Sequence, residues 1–163
     1  MIDNDSPMKL LLDTLPQVGS VVWIGVRPER QTPLQMLNQV TAKENSGLEG
    51  DHFAGKLQRK RQVTLINAEH IQAVASMLHR SEIGPDLLRR NIVVRGINLL
   101  ALKEKQFKIG EAILEMTGLC HPCSRMEKNL GPGGYNAMRG HGGITARIIE
   151  GGVIRVADDI RVI

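Results

Sequence analysis

The sequence predicts a single, mainly β domain of barrel type with a few helices, and three observations support this. Most apolar runs are short and rich in β-branched residues, as strands are. Glycines punctuate these runs, as turns and bulges require. The runs do not alternate regularly with long helices, which disfavours a doubly wound parallel sheet. At 163 residues the chain is long enough for one domain with a hydrophobic core.

Six strands are predicted where apolar and β-branched residues cluster. They cover residues 19–26, 62–66, 91–94, 107–116, 144–149 and 153–156. A helix is predicted after Asn67, a residue type favoured at the N-cap, because apolar residues then recur on one helical face. A shorter helix is expected after Pro85, and another over residues 124–130, where a glycine-rich run ends it. We expect residues 1–16 to form an N-terminal arm and residues 17–163 to form the domain.

Composition and charge narrow the classes of partner. The net charge of +4 and the pI near 9.3 favour anionic partners but are modest for a nucleic-acid binder. One Trp, one Tyr and two Phe are too few for a base-stacking surface, so no nucleic acid is expected. No stretch has the apolar length of a membrane span, and the N-terminus lacks the pattern of a signal peptide. We therefore expect a cytoplasmic protein with reduced cysteines and no membrane association.

Both cysteines, Cys120 and Cys123, lie in one short segment after a strand-like run. Thiolates attack electrophiles, carry sulfur and ligate soft metals. A structural zinc site would need a second cysteine pair or a close histidine pair, and the sequence has neither. A redox dithiol would be expected after a βαβ unit, and the sequence indicates none ahead of the cysteines. Packing of both cysteines as small apolar groups also stays open. A functional thiolate at Cys123 with an auxiliary Cys120 is favoured. Cys123 would lie where a helix begins, and Arg125 and Lys128 add positive charge.

Polar segments elsewhere supply candidate binding residues. Residues 50–56 match the spacing of a phosphate-binding loop. However, Leu57 stands where such a loop has its magnesium ligand, and no apolar strand precedes the segment. We therefore reject nucleotide hydrolysis. The segment could still present Asp51 and His52 in a turn. Two basic runs cover residues 56–61 and 89–95, and solvated faces are their ordinary explanation. If both runs line one cleft, they would form a guanidinium-rich pocket suited to a phosphate.

Taken in order, these segments resemble the MOSC domain, which occurs at the C-terminus of molybdenum cofactor sulfurases and as small standalone bacterial proteins. The resembling segments are residues 47–52, 62–66 with Glu69, 88–97, 109–112 leading to Pro122 and Cys123, and 140–159. The resemblance covers residues 19–163. Ala157 stands where a glycine is usual, and Cys120 is an additional thiol that leaves room for a disulfide or a second sulfur position.

The resemblance implies a barrel-like fold with a cleft in which Cys123 ligates molybdenum or carries sulfane sulfur. The molybdenum cofactor carries a phosphate on its pterin, for which basic and polar groups are candidate ligands. The cofactor-binding candidates are Arg89, Arg90, Asn91, Arg61, Lys56, Asp51, His52 and His121.

Two functions follow from the resemblance. One is a molybdenum-dependent protein that reduces N-hydroxylated compounds or transfers sulfur, with a small-molecule substrate and an electron-transfer protein as partners. The other is a non-enzymatic sulfur carrier that docks on a cysteine desulfurase or a molybdoenzyme. Pyridoxal phosphate is expected only in a separate partner, because no segment here resembles its lysine motif.

Overall fold

The computed structural model describes residues 3–52 and 60–163. Its strands are β1 (Gly19–Val26), β2 (Gln35–Leu37), β3 (Gln39–Lys43), β4 (Gly47–Leu48), β5 (Val63–Asn67), β6 (Ile92–Arg95), β7 (Gln106–Ile109), β8 (Ala112–Leu119), β9 (Ile144–Glu150), β10 (Gly152–Arg155) and β11 (Asp159–Val162). Its α-helices are α1 (Pro7–Asp13), α2 (Ala68–Met77), α3 (Ser124–Leu130) and α4 (Gly134–Met138). Short 3₁₀ helices cover Pro85–Leu88 and Leu99–Leu102.

Seven strands close into a barrel. Their order is β11-β7-β8-β9-β5-β6-β1, and β11 pairs with β1 to complete the ring. Strands β5 and β6 run parallel, and α2 makes the crossover that a parallel pair requires. A βαβ unit therefore does precede the cysteine segment, contrary to the expectation from the sequence. Strand β2 extends β1 outside the ring, while β10, β3 and β4 form a separate small sheet. The predicted barrel with a few helices is therefore confirmed.

Strands β5 and β6 are buried on both faces, which explains why they are continuous apolar runs in the sequence. Leu65 and Ile92 point into the barrel core, whereas Ile66 and Val93 belong to a second core. Side chains alternate between the faces of a strand, so successive residues reach different cores. The second core lies between the outside of the barrel and the helices α2, α3 and α4.

The prediction of a single strand over residues 107–116 is wrong in one respect. The structure has two strands there, β7 and β8, joined by a tight turn at Gly110 and Glu111. Gly110 has φ of 54°, a left-handed conformation that glycine adopts at little cost. The sequence prediction missed strands β2, β3, β4 and β11, which have only two to five residues each. The segment after Pro85 forms a 3₁₀ helix.

The first residues of the chain add little to either core. Helix α1 has no buried residue, and Leu15 is the residue near it that packs against the barrel core. Whether residues 1–16 act as a separate arm stays a prediction. None of the helices within 3–52 and 60–163 is both long and apolar enough to cross a bilayer.

Candidate functional site

A cleft of about 300 Å³ lies at one end of the barrel, and both cysteines line it. Strands β1 and β8 end there, and β5 and β6 begin there. The strand register produces this arrangement, because Ile24 pairs with Ile92, and Ile144 pairs with both Leu65 and Leu119. The lining residues are Arg27, Leu34, Asp51, His52, Arg61, Gln62, Thr64, Arg89, Arg90, Asn91, Cys120, Cys123 and Met126.

Two glycines let the cysteine segment approach the barrel. The Cys120 amide donates to the Gly143 carbonyl oxygen over 2.9 Å. A Cβ on Gly142 would lie 2.0 Å from the Cys120 carbonyl oxygen, and a Cβ on Gly143 would lie 1.9 Å from the Leu65 oxygen. Gly143 also has φ of 85°, so glycine is required there by both space and conformation. The glycine turn predicted at the start of β9 therefore also gives the cysteine segment room to approach the barrel.

Arg90 is a buried cross-link between three segments. Its side chain donates to the carbonyl oxygens of Gly142 (2.7 Å), Leu88 (3.0 Å) and Cys120 (3.3 Å), and the residue is only 6% exposed. A guanidinium has five N–H donors, so two stay available for a ligand. Burial lowers the pKa of Arg90, while the thiols of Cys120 and Cys123 oppose that shift. The group stays cationic and keeps a positive charge beside both sulfurs.

Asn91 ties the start of β6 to both neighbouring strands. Its side-chain amide donates to the Gly25 oxygen over 3.1 Å, and its Oδ1 accepts from the Thr64 amide and hydroxyl, each over 3.1 Å. The Asn91 amide in turn donates to the Thr64 hydroxyl over 3.0 Å. Because both ends of this buried side chain are bonded, its main effect is to fix the rim of the cleft.

Asp51 and Arg27 brace the end of β1. The Arg27 amide donates to Asp51 Oδ1 over 2.8 Å, and the His52 amide donates to the Arg27 carbonyl oxygen. These bonds hold the start of the loop after β4 against the end of β1. Arg27 Nε is buried and has no hydrogen-bond partner among the described residues. A buried N–H without a partner is costly, so this atom is a natural donor to a bound ligand.

Arg61 and Arg89 present further guanidinium groups to the cleft. Arg61 is exposed, and its Nη2 donates to Cys120 Sγ over 3.7 Å. Arg89 is half-buried and has φ of 61°, an uncommon conformation for a residue with a long side chain. This left-handed residue ends the 3₁₀ helix Pro85–Leu88. Within the described ranges neither arginine forms an ion pair with a carboxylate.

Cys123 is exposed at the start of α3, as its sequence position predicts. Glu127 links α3 to α4, because its carboxylate accepts from the amides of Gly133 (2.8 Å) and Tyr135 (2.9 Å). These two amides lower the pKa of Glu127. Among the described residues no group of three or more His, Cys, Asp or Glu side chains could hold a metal ion.

Most of the candidate binding residues meet in this cleft. Seven of the nine predicted site residues line it, namely Cys123, Arg89, Arg90, Asn91, Arg61, Asp51 and His52. His121 is exposed and is not among the lining residues. Lys56 lies outside the described residues. The roles of these residues stay predictions.

The sequence reasoning missed several lining residues, above all Arg27, Gln62 and Thr64. Gln62 is buried, and its Oε1 accepts from the Ile148 amide over 2.8 Å, which ties it to β9. The position of Arg27 directly after a predicted strand could have indicated a site residue. However, Pro28 and Glu29 follow it, and they are typical of a solvated loop.

The end of this closed barrel carries two thiols and four guanidinium groups. The fold and these groups define a class of protein suited to anionic or sulfur-containing ligands. The family model of the MOSC domain matches residues 26–161, and the chain belongs to this family. MOSC domains are associated with molybdenum cofactor binding or sulfur transfer. No curated protein matches this chain by sequence.

Solved structures share the fold at low sequence identity. YuaD from Bacillus subtilis is 19% identical, with 90% of this chain and 97% of that chain covered and a TM-score of 0.76. YiiM from Geobacillus stearothermophilus is 15% identical, with 89% and 75% covered and a TM-score of 0.72. YiiM from Escherichia coli is 16% identical, with 88% and 69% covered and a TM-score of 0.65. At these identities the likeness concerns the fold alone.

Proposed function

We propose that this protein binds the molybdenum cofactor in the cleft, with the Cys123 thiolate as the protein's ligand to the metal. The observation that supports this most is the pairing of an exposed thiol with guanidinium groups that have no carboxylate partner among the described residues. A soft thiolate suits a sulfur-coordinated metal, and guanidinium groups suit a phosphate.

The residues of the cleft fit the chemistry of this cofactor. Arg27 has a buried Nε without a partner among the described residues, and Arg89 lines the same cleft with no side-chain hydrogen bond to those residues. Both are therefore assigned to the anionic tail. Arg90 keeps its bonds to the cysteine segment and adds positive charge. A volume of about 300 Å³ is at the lower end for small-molecule sites, so part of the ligand would face solvent or a partner.

Bound here, the cofactor would supply two-electron redox chemistry. The proposed reaction is the reduction of an N-hydroxylated base or amine, which takes up two electrons and two protons and releases water. An electron-transfer protein would supply the electrons. Cys123 would hold the metal through its sulfur, and Arg90 adds positive charge beside that thiol.

The test is elemental and pterin analysis of protein from a host that makes the cofactor. Wild type should retain molybdenum and pterin, Cys123→Ser should lose the metal, and Cys120→Ser should retain it. Circular dichroism verifies that each variant is folded. Absence of both molybdenum and pterin from folded wild type would contradict the proposal.

A second candidate function is sulfur carriage, with a persulfide on Cys123. The specific observation in its favour is the second thiol, Cys120, in the same cleft. Incubation with a cysteine desulfurase and its substrate should add the mass of one sulfur atom to Cys123, with no metal required. Cys123→Ser should gain no sulfur. No mass gain on wild type would exclude this candidate.

A further inference from the structure

We propose that Cys120 is the resolving thiol of the cleft, which discharges sulfur carried by Cys123 as hydrosulfide and leaves a Cys120–Cys123 disulfide. This inference rests on the sulfur-carrying function of Cys123 proposed above. It assigns to Cys120 a step of its own, whereas a single carrier cysteine would require the acceptor to remove the sulfur.

The two thiols differ in the way that this division of work requires. Cys123 is exposed and accessible to a partner that delivers sulfur, whereas Cys120 is 2% exposed and shielded from one. Both line the same cleft, and two residues separate them in the chain. Pairs with this spacing are the usual dithiols of thiol–disulfide exchange.

The contacts of Cys120 hold its sulfur and its backbone in place within the cleft. Arg61 Nη2 donates to Cys120 Sγ over 3.7 Å, which places a guanidinium cation directly against this sulfur. The Cys120 carbonyl accepts from Arg90, and the Cys120 amide donates to Gly143. The backbone of Cys120 is thus fixed from both sides. Cys123, by contrast, begins α3 at the end of a short connecting segment.

The reaction balances without a metal. The Cys120 thiolate attacks Sγ of the Cys123 persulfide, and a bond forms between the two cysteine sulfurs. The bond to the terminal sulfur breaks, and that sulfur leaves with its electron pair and its hydrogen as hydrosulfide. The sulfane sulfur is reduced while the two cysteines are oxidised to a disulfide. A dithiol protein or a small thiol then reduces the disulfide and restores both thiols.

The test loads reduced protein with inorganic polysulfide, removes the excess by desalting, and follows protein mass and released hydrosulfide over time. Wild type should release one hydrosulfide per chain and end two hydrogen masses below the reduced protein, with a disulfide between Cys120 and Cys123 in the peptide map. Cys120→Ser and Cys120→Ala should keep the added sulfur on Cys123 and lose at least ten-fold in release rate.

Controls separate this inference from sulfur carriage itself. Ala75→Ser, which introduces a hydroxyl into the buried second core outside the cleft lining, should discharge like wild type. A persulfide that persists equally in wild type and Cys120→Ser would overturn the resolving role and leave carriage standing. Failure of wild type and folded Cys120→Ser to take up sulfur would overturn both.

Discussion

The polar residues that line the cleft form two sets, a scaffold wall and an open wall, which differ in what their polar groups contact. The scaffold wall, made of Gln62, Thr64, Arg90 and Asn91, is bonded to the backbone or side chains of neighbouring segments. The open wall, made of Arg27, Arg61, Arg89 and Cys123, is half-buried or exposed and forms no ion pair within the described ranges. The first wall holds the barrel end together, and the second is available to a ligand.

Arg89 and Arg90 show the difference most clearly, because they are adjacent in the chain. Arg90 is 6% exposed and donates to three carbonyl oxygens. Arg89 has a strained backbone, and its side chain has no hydrogen bond among the described residues. Residue type alone therefore does not identify a ligand-binding arginine. What distinguishes such an arginine is whether its N–H donors already have partners within the protein.

The largest expected effect separates these two arginines. Arg90→Met should lower the free energy of unfolding by roughly 3 kcal/mol or more, because three carbonyl oxygens lose a charged donor in a buried site. Arg89→Met should change it by less than about 0.5 kcal/mol, as ordinary surface substitutions do. Urea unfolding of both variants measures this. Equal losses would remove the distinction between the walls.

Asn91→Ala should lower the free energy of unfolding by roughly 2 kcal/mol. The change leaves the Gly25 oxygen without its side-chain donor and removes the acceptor for Thr64. Thr64→Val deletes the other half of the same pair, so the double variant should lose clearly less than the sum of the two single losses. Additive losses in a double-mutant cycle would show that the pair does not act as a unit.

Inorganic pyrophosphate should raise the melting temperature of wild type, because an anion that binds only the folded protein stabilises it. Arg27→Gln and Arg89→Gln should each reduce that rise by at least half. Arg147→Gln is the matched control, since this exposed arginine pairs with Glu115 over 2.8 Å and does not line the cleft. A rise that survives both open-wall changes, or that potassium chloride reproduces, would contradict anion binding by the open wall.

The backbone strain at Arg89 predicts a smaller difference. Arg89→Gly and Arg89→Ala both remove the guanidinium, but only glycine adopts φ of 61° without steric cost. Arg89→Gly should therefore be more stable than Arg89→Ala by about 1 kcal/mol. Chemical unfolding of the pair measures this, and a glycine variant less stable than the alanine variant would show that the strain is absent.

The smallest expected effect is on stability and concerns α3, the helix that Cys123 directly precedes. Backbone amides hold the pKa of Glu127 below its usual 4.5, so the folded state binds fewer protons than the unfolded state in that range. The stability that Glu127 adds is complete above pH 4.5 and is lost as the pH falls through the lowered value. The difference in melting temperature between wild type and Glu127→Gln should therefore shrink on acidification. A difference independent of pH would contradict this role.

The barrel could be predicted from the sequence where its strands are buried on both faces. Residues 19–26, 62–66 and 91–94 are continuous apolar runs because alternate side chains enter different cores. Strands β2 and β3 escaped prediction since they are short and partly exposed, and β4 since it has only two residues. The hairpin between β7 and β8 was missed because its turn is only Gly110 and Glu111.

For the site, sequence order identified segments but not contacts. The motif around Arg89, Arg90 and Asn91 does line the cleft, yet the sequence assigned all three to one ligand. Their bonding partners, such as Gly142 and Gly25, are distant along the chain, so only the barrel register reveals them. Arg27 was missed because its sequence neighbours indicate a solvated loop, and Asp51, which positions it, lies in another segment.

The most direct test of the central claim is molybdenum-edge X-ray absorption on the loaded protein, with selenium in place of the Cys123 sulfur and Cys120→Ser to leave one selenium position. If Cys123 is the metal ligand, a selenium atom should appear in the first coordination shell of molybdenum. Molybdenum retained without a selenium neighbour would contradict that assignment.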